Sequence, residues 1–122
     1  MYQVSVEGHF DAAHFLRGYG GKCENLHGHR FKVVVSLKAE SLNNTGLAYD
    51  FTELKRHLNE VLEPFDHTSL NELKPFDKIN PSSENVAREI YDQLKKRLTG
   101  GVVLSTVEVW ESPESHVTYS LE

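Results

Sequence analysis

His27-Gly28-His29-Arg30-Phe31-Lys32-Val33-Val34-Val35-Ser36-Leu37-Lys38 is the stretch on which the fold turns. Phe31, Val33, Val35 and Leu37 alternate with Lys32, Val34, Ser36 and Lys38. Side chains on a strand point to opposite faces with period two, so this pattern predicts a strand with one face on a core. The same period aims His27 and His29 to one side. Gly28 between them leaves the other side bare, where a ligand or a second backbone could approach.

Working outward, Tyr2, Val4 and Val6 alternate and predict a first strand over residues 2 to about 9. Phe10-Asp11-Ala12-Ala13-His14 follows it, then the glycine-rich loop Gly18-Tyr19-Gly20-Gly21-Lys22. That loop lacks a lysine followed by Ser or Thr, so it is not a P-loop. Downstream, Asn43-Asn44-Thr45-Gly46 signals a turn. Asp50-Phe51-Thr52-Glu53 reads as a capping box, and Leu54, Leu58, Val61, Leu62 and Phe65 share one helical face until Pro64 ends the helix. Residues 66–81 read as irregular. A second helix starts near Ser82 or Ser83, carries Val86, Ile90, Leu94 and Leu98 on one face, and stops at Gly100-Gly101. Val102 to Trp110 and Val117 to Leu121 are the remaining strands. The order strand, strand, helix, helix, strand, strand predicts an α+β domain over residues 1–122. Its sheet is expected to have four antiparallel strands, with two helices packed on one face. Sheet edges of this kind are often hidden by self-association, so a homo-oligomer is expected.

With 122 residues, 39% hydrophobic and 25% charged, the chain has the balance of one soluble globular domain. A net charge of −5 excludes a general nucleic-acid-binding surface. Met1 to Glu7 has neither a basic start nor an apolar run, and no apolar stretch is long enough to span a bilayer. These features predict no secretory leader and no membrane insertion. A single cysteine forbids an intrachain disulfide and suits a cytoplasmic location. Positive charge gathers at Arg17, Lys22, Arg30 and Lys32, around the histidines in sequence, where a small anion could use it.

His14, His27 and His29 match an open catalytic zinc site, in which three imidazoles leave a fourth position for water or substrate. A lone cysteine beside Lys22 and a dication, Cys23, would favour thiolate, the form that takes a proton or attacks carbon. Asp66-His67 is open to two readings, a post-helix turn or a proton-shuttling imidazole oriented by a carboxylate. Glu111 ends a strand; a buried glutamate there would accept paired N–H donors from a heterocycle edge. His9, His57 and His116 show no usable pattern.

Together these segments resemble the 6-pyruvoyl-tetrahydropterin synthase family, in particular its 6-carboxy-tetrahydropterin synthase branch. The likeness runs through Phe10-Asp11-Ala12-Ala13-His14, Cys23-Glu24-Asn25-Leu26-His27-Gly28-His29 and Tyr49-Asp50-Phe51-Thr52-Glu53-Leu54-Lys55. It continues through Asp66-His67-Thr68-Ser69-Leu70-Asn71, Asn80-Pro81-Ser82-Ser83-Glu84-Asn85 and Val109-Trp110-Glu111. The resemblance implies the T-fold (tunnelling fold), a hexamer built from two trimers, and active sites at subunit interfaces. It implies Zn2+ on His14, His27 and His29, proton transfer by Cys23, His67 and Asp66, and a pterin anchored by Glu111. The substrate it implies is 7,8-dihydroneopterin triphosphate, converted to 6-carboxy-5,6,7,8-tetrahydropterin on the way to queuosine. The three-residue spacing between Cys23 and His27 favours that branch over the pyruvoyl-forming one. A non-catalytic pterin- or zinc-binding protein on the same fold is the rival of another class.

Overall fold

Two long strands carry the alternation, and the computed structural model describes them within residues 1–21 and 24–122. β1 (Tyr2–His14) and β2 (His27–Ala39) pair antiparallel from Tyr2 against Ala39 to His14 against His27. β1 runs past residue 9 because Phe10, Ala12 and His14 continue the inward set, although small Ala13 blurs the polar contrast. β4 (Val103–Ser112) pairs with β2, and β5 (Ser115–Tyr119) pairs with β4, all antiparallel.

The sheet has five strands in the order β3-β1-β2-β4-β5, one more than the alternation predicts. β3 is only Thr68–Ser69, laid parallel to β1 beside Ala12 and Ala13. Two residues carry no readable period, and this pairing depends on a chain segment returning to the free edge of β1.

Both helices pack on the same face. Asp50 caps α1 (Phe51–Leu62), its side chain accepting from the Thr52 N–H at 2.8 Å. The box is not reciprocal, since the Glu53 carboxylate turns to Arg56 at 2.8 Å instead. Pro64 sits in a closing 3₁₀ turn, Glu63–Phe65, which still buries Phe65. Ser82 caps α2 (Ser83–Lys95), accepting from the Asn85 N–H at 3.2 Å. This helix ends before Leu98, which packs against the core from the following turn.

Inward residues of the sheet and the apolar stripes of the helices form one core. Phe10 stacks on Phe31 with ring centroids 4.8 Å apart, and Leu54, Leu58, Ile90 and Leu94 are sealed above the sheet. Each such side chain contributes about 1.5–3 kcal/mol by leaving water. Gly8 permits the close approach of α1, because a Cβ there would lie 3.0 Å from Leu62 Cδ1. Among the described residues, no helix is long and apolar enough to cross a membrane.

Candidate metal centre

The β1–β2 register builds the site. Ala12 faces His29 and His14 faces His27 across the ladder, so the three imidazoles share the core-side face at one end of the sheet. Their ring centroids lie 4.6 Å (His14–His27), 4.9 Å (His27–His29) and 5.5 Å (His14–His29) apart. Phe31 seats edge-to-face under His14 and His29 and dries the floor of the cluster. Glu111, at the far end of β4, joins them: its Oε1 is 3.1 Å from His14 Nε2 and 3.8 Å from His29 Nε2. One ligand atom from each of the four residues falls within 4.8 Å of all the others.

Backbone carbonyls set the tautomers. His14 Nδ1 lies 2.7 Å from the Pro81 carbonyl, and His27 Nδ1 lies 2.7 Å from the Asn25 carbonyl. A carbonyl only accepts, so each Nδ1 carries a proton, and in the neutral ring that tautomer leaves Nε2 as the lone pair for the centre. Burial is the larger influence on His29; it lowers the pKa of that imidazole, against the smaller upward pull of Glu111. Neutral imidazole is the form that binds a metal. His14 is buried, and its Nε2 has no hydrogen-bond partner among the described residues. An unpartnered polar atom in the interior is costly, and a cation at the centre would satisfy it. The donor set of three nitrogens and a carboxylate suits zinc.

These observations sit in a known frame. A family model described as 6-pyruvoyl tetrahydropterin synthase matches residues 3–122. The chain belongs to the 6-pyruvoyl tetrahydropterin synthase family. It is 31% identical over 141 residues to the Haemophilus influenzae 6-carboxy-5,6,7,8-tetrahydropterin synthase, covering 98% of this chain and 99% of that one. It is 39% identical over 106 residues to the human 6-pyruvoyl tetrahydrobiopterin synthase, covering 84% of this chain and 72% of that one. Among solved structures, the Caenorhabditis elegans 6-pyruvoyl tetrahydropterin synthase superposes with a TM-score of 0.87 at 31% identity, covering 100% of this chain and 98% of that chain. The fold is accordingly the T-fold of this family.

Within that family frame, the expected gathering of positive charge around the histidines needs adjusting. Arg30 and Lys32 follow His29 at periods one and three, so they point to the opposite face of the sheet and do not surround the imidazoles. Arg17 is committed elsewhere: its guanidinium donates to the carbonyls of Phe76, Ile79 and Asn71 at 2.9, 3.3 and 3.4 Å. The side of β2 at Gly28 is bare as expected, since among the described residues a Cβ there would meet only the Ala12 carbonyl at 3.8 Å. Cys23 and Lys22 lie outside the described residues.

Asp66 and His67 form a pair, with His67 Nδ1 2.9 Å from Asp66 Oδ2. Asp66 also accepts from the Asp11 N–H at 2.8 Å, and the His67 N–H donates to the Asp11 carbonyl at 2.6 Å. The Asp11 N–H is the main cause that lowers the Asp66 pKa. These contacts hold His67 at φ 57°, a conformation unusual for a residue with a Cβ. The imidazole is 79% exposed and lines a shallow depression that runs across the β1–β2 ladder past Asp11, Ala13, Gly28 and Arg30 and also touches His29. Asp11 alternates with Ala12 and so points away from the clustered imidazoles, and a ligand atom of its carboxylate lies within 4.8 Å of those of Asp66 and His67, which puts the pair on that other side of the β1–β2 ladder.

The supporting residues are less visible in the sequence. Asn71 is buried and grips Phe15, accepting from its N–H and donating to its carbonyl, each at 3.0 Å. Asn80 grips Arg17 the same way, at 2.8 and 3.0 Å. Both fix the chain just after His14, and Pro81 next door supplies the carbonyl for its ring. Their only sequence signal is the pair of asparagines in motifs outside any periodic element.

Proposed function

We propose that this protein is a zinc-dependent lyase converting 7,8-dihydroneopterin triphosphate and one water to 6-carboxy-5,6,7,8-tetrahydropterin, with release of acetaldehyde and triphosphate. This step would lead toward 7-deazaguanine and queuosine. The observation that carries it is the convergence of His14, His27 and His29, each Nε2 free for a cation and two of the rings fixed by backbone carbonyls. Near end-to-end coverage of the Haemophilus influenzae synthase, against 72% of the human enzyme, supports the carboxy branch.

In this reading His14, His27 and His29 hold zinc. Bound there, the ion supplies Lewis acidity to the side-chain oxygens of the substrate. Cys23, as thiolate, takes and returns protons at side-chain carbons. His67 exchanges protons on the other side, with Asp66 fixing its tautomer through the Nδ1 contact. Glu111 accepts from the N–H edge of the pterin. Because His67 and the imidazole cluster face apart within one subunit, His67 serves the metal centre of a neighbouring copy. That placement supports a homo-oligomer with interfacial active sites, a hexamer by family resemblance.

The test is anaerobic incubation of zinc-loaded protein with 7,8-dihydroneopterin triphosphate, followed by mass spectrometry. Carboxy-tetrahydropterin with acetaldehyde is the expected outcome. The second reading is the pyruvoyl-forming reaction, favoured by the 39% identity to the human enzyme, and it predicts the pyruvoyl product with no acetaldehyde. Unchanged substrate in the presence of bound zinc would favour a pterin-binding protein instead.

A further inference from the structure

Three histidines leave one corner of a tetrahedral zinc site open. In this chain that corner faces a carboxylate, and we infer that Glu111 is the fourth protein ligand of the metal in the substrate-free protein, a latch that substrate must displace. The inference rests on the three-histidine metal reading above and adds to it.

Distance is the first support. Metal–ligand bonds of about 2.0–2.1 Å at tetrahedral angles place neighbouring ligand atoms about 3.3 Å apart. Glu111 Oε1 stands 3.1 Å from His14 Nε2 and 3.8 Å from His29 Nε2, which brackets that value. Proton bookkeeping is the second. The Pro81 carbonyl accepts from the Nδ1–H of His14, which leaves Nε2 pointing at a carboxylate oxygen. Although the two atoms are close, Nε2 makes no hydrogen bond. A buried ring nitrogen and a carboxylate oxygen thus stand 3.1 Å apart without a hydrogen bond, and a cation coordinated by both would satisfy them.

The third support lies in the backbone. The β4–β5 pairing shifts register between Trp110 and Ser112, directly at Glu111. Alternation with buried Val107 and Val109 turns Glu111 to the imidazole side, the shift leaves it without a ladder partner in β5, and 36% of its side chain stays open to solvent. A carboxylate seated this way can leave without disturbing the sheet. Its departure makes two things available together: an open metal corner for substrate oxygens and a free anion for the N–H edge of the heterocycle.

The experiment uses zinc- and cobalt-loaded protein without substrate. Glu111→Ala should weaken metal binding at least tenfold in competition with a chromophoric chelator, since even outer-shell partners of metal ligands are worth about 10–100-fold. It should also change the visible spectrum of the cobalt form and allow millimolar azide to shift it, whereas the wild-type spectrum resists azide. Glu111→Gln, checked for fold by circular dichroism, should fall in the same direction. If Glu111→Ala keeps wild-type affinity and spectrum while His14→Ala loses the metal, the latch is wrong and the three-histidine site stands. If both variants keep wild-type affinity, the metal reading fails with it.

Discussion

Asn71→Ala tests whether the chain after β1 holds His14 ready for a metal. The Asn71 side chain, 7% exposed, makes two neutral hydrogen bonds to Phe15. Each is worth about 1 kcal/mol net, and stranding the half-buried Phe15 groups raises the loss to about 2–4 kcal/mol in total. For a domain of this length that corresponds to a Tm lower by about 8–16 °C. Asn43→Ala is the control. Its Oδ1 accepts from Thr45 N, Thr45 Oγ1 and Leu47 N at 2.9, 2.8 and 3.0 Å, but in an exposed turn. Water replaces those bonds, and the cost should stay under about 1 kcal/mol. Thermal melts at fixed protein concentration read stability, and chelator competition reads the metal. Asn71→Ala should raise the zinc dissociation constant about 10–100-fold, as for other groups that orient a ligating histidine. Equal losses for the two variants would refute the weight placed on burial. A large stability loss with unchanged zinc affinity would refute the coupling between Phe15 and His14.

Three further outcomes are expected. Cys23→Ala should retain zinc and bind substrate but lose turnover, and equal activity would remove the thiol from the chemistry. Mixing inactive His29→Ala and His67→Ala proteins after dissociation and reassembly should restore part of the activity, because mixed assemblies contain interfaces with intact residues on both sides; no recovery would place the whole site in one subunit. The lowered pKa of Asp66 gives a pH signature. Below the usual aspartate value of 3.8 the unfolded chain takes up a proton that folded Asp66 refuses, so its stabilising effect is present above that value and fades as pH falls. The Tm difference between wild type and Asp66→Asn should therefore shrink from pH 5 to pH 3, and a constant difference would show that the Asp11 N–H contact is not what holds the charge.

Local periodicity made most of the fold legible. Alternation at Phe31, Val33, Val35 and Leu37, a four-residue step at Val86, Ile90 and Leu94, and the capping residues Asp50 and Ser82 each depend on neighbours in sequence. The sequence by itself therefore determined that His27 and His29 point the same way, because one strand's pleat settles it. It could not determine what stands opposite them. His14 reaches the cluster through the β1–β2 register, Glu111 through the β2–β4 register, and the Pro81 carbonyl through the packing of a loop against β1. The two-residue strand β3 and the turning of Asp66–His67 to the other face are also products of long-range pairing. Backbone geometry repeats every two or 3.6 residues and is written in the chain locally, whereas a site made from distant segments exists only once the sheet has chosen its register.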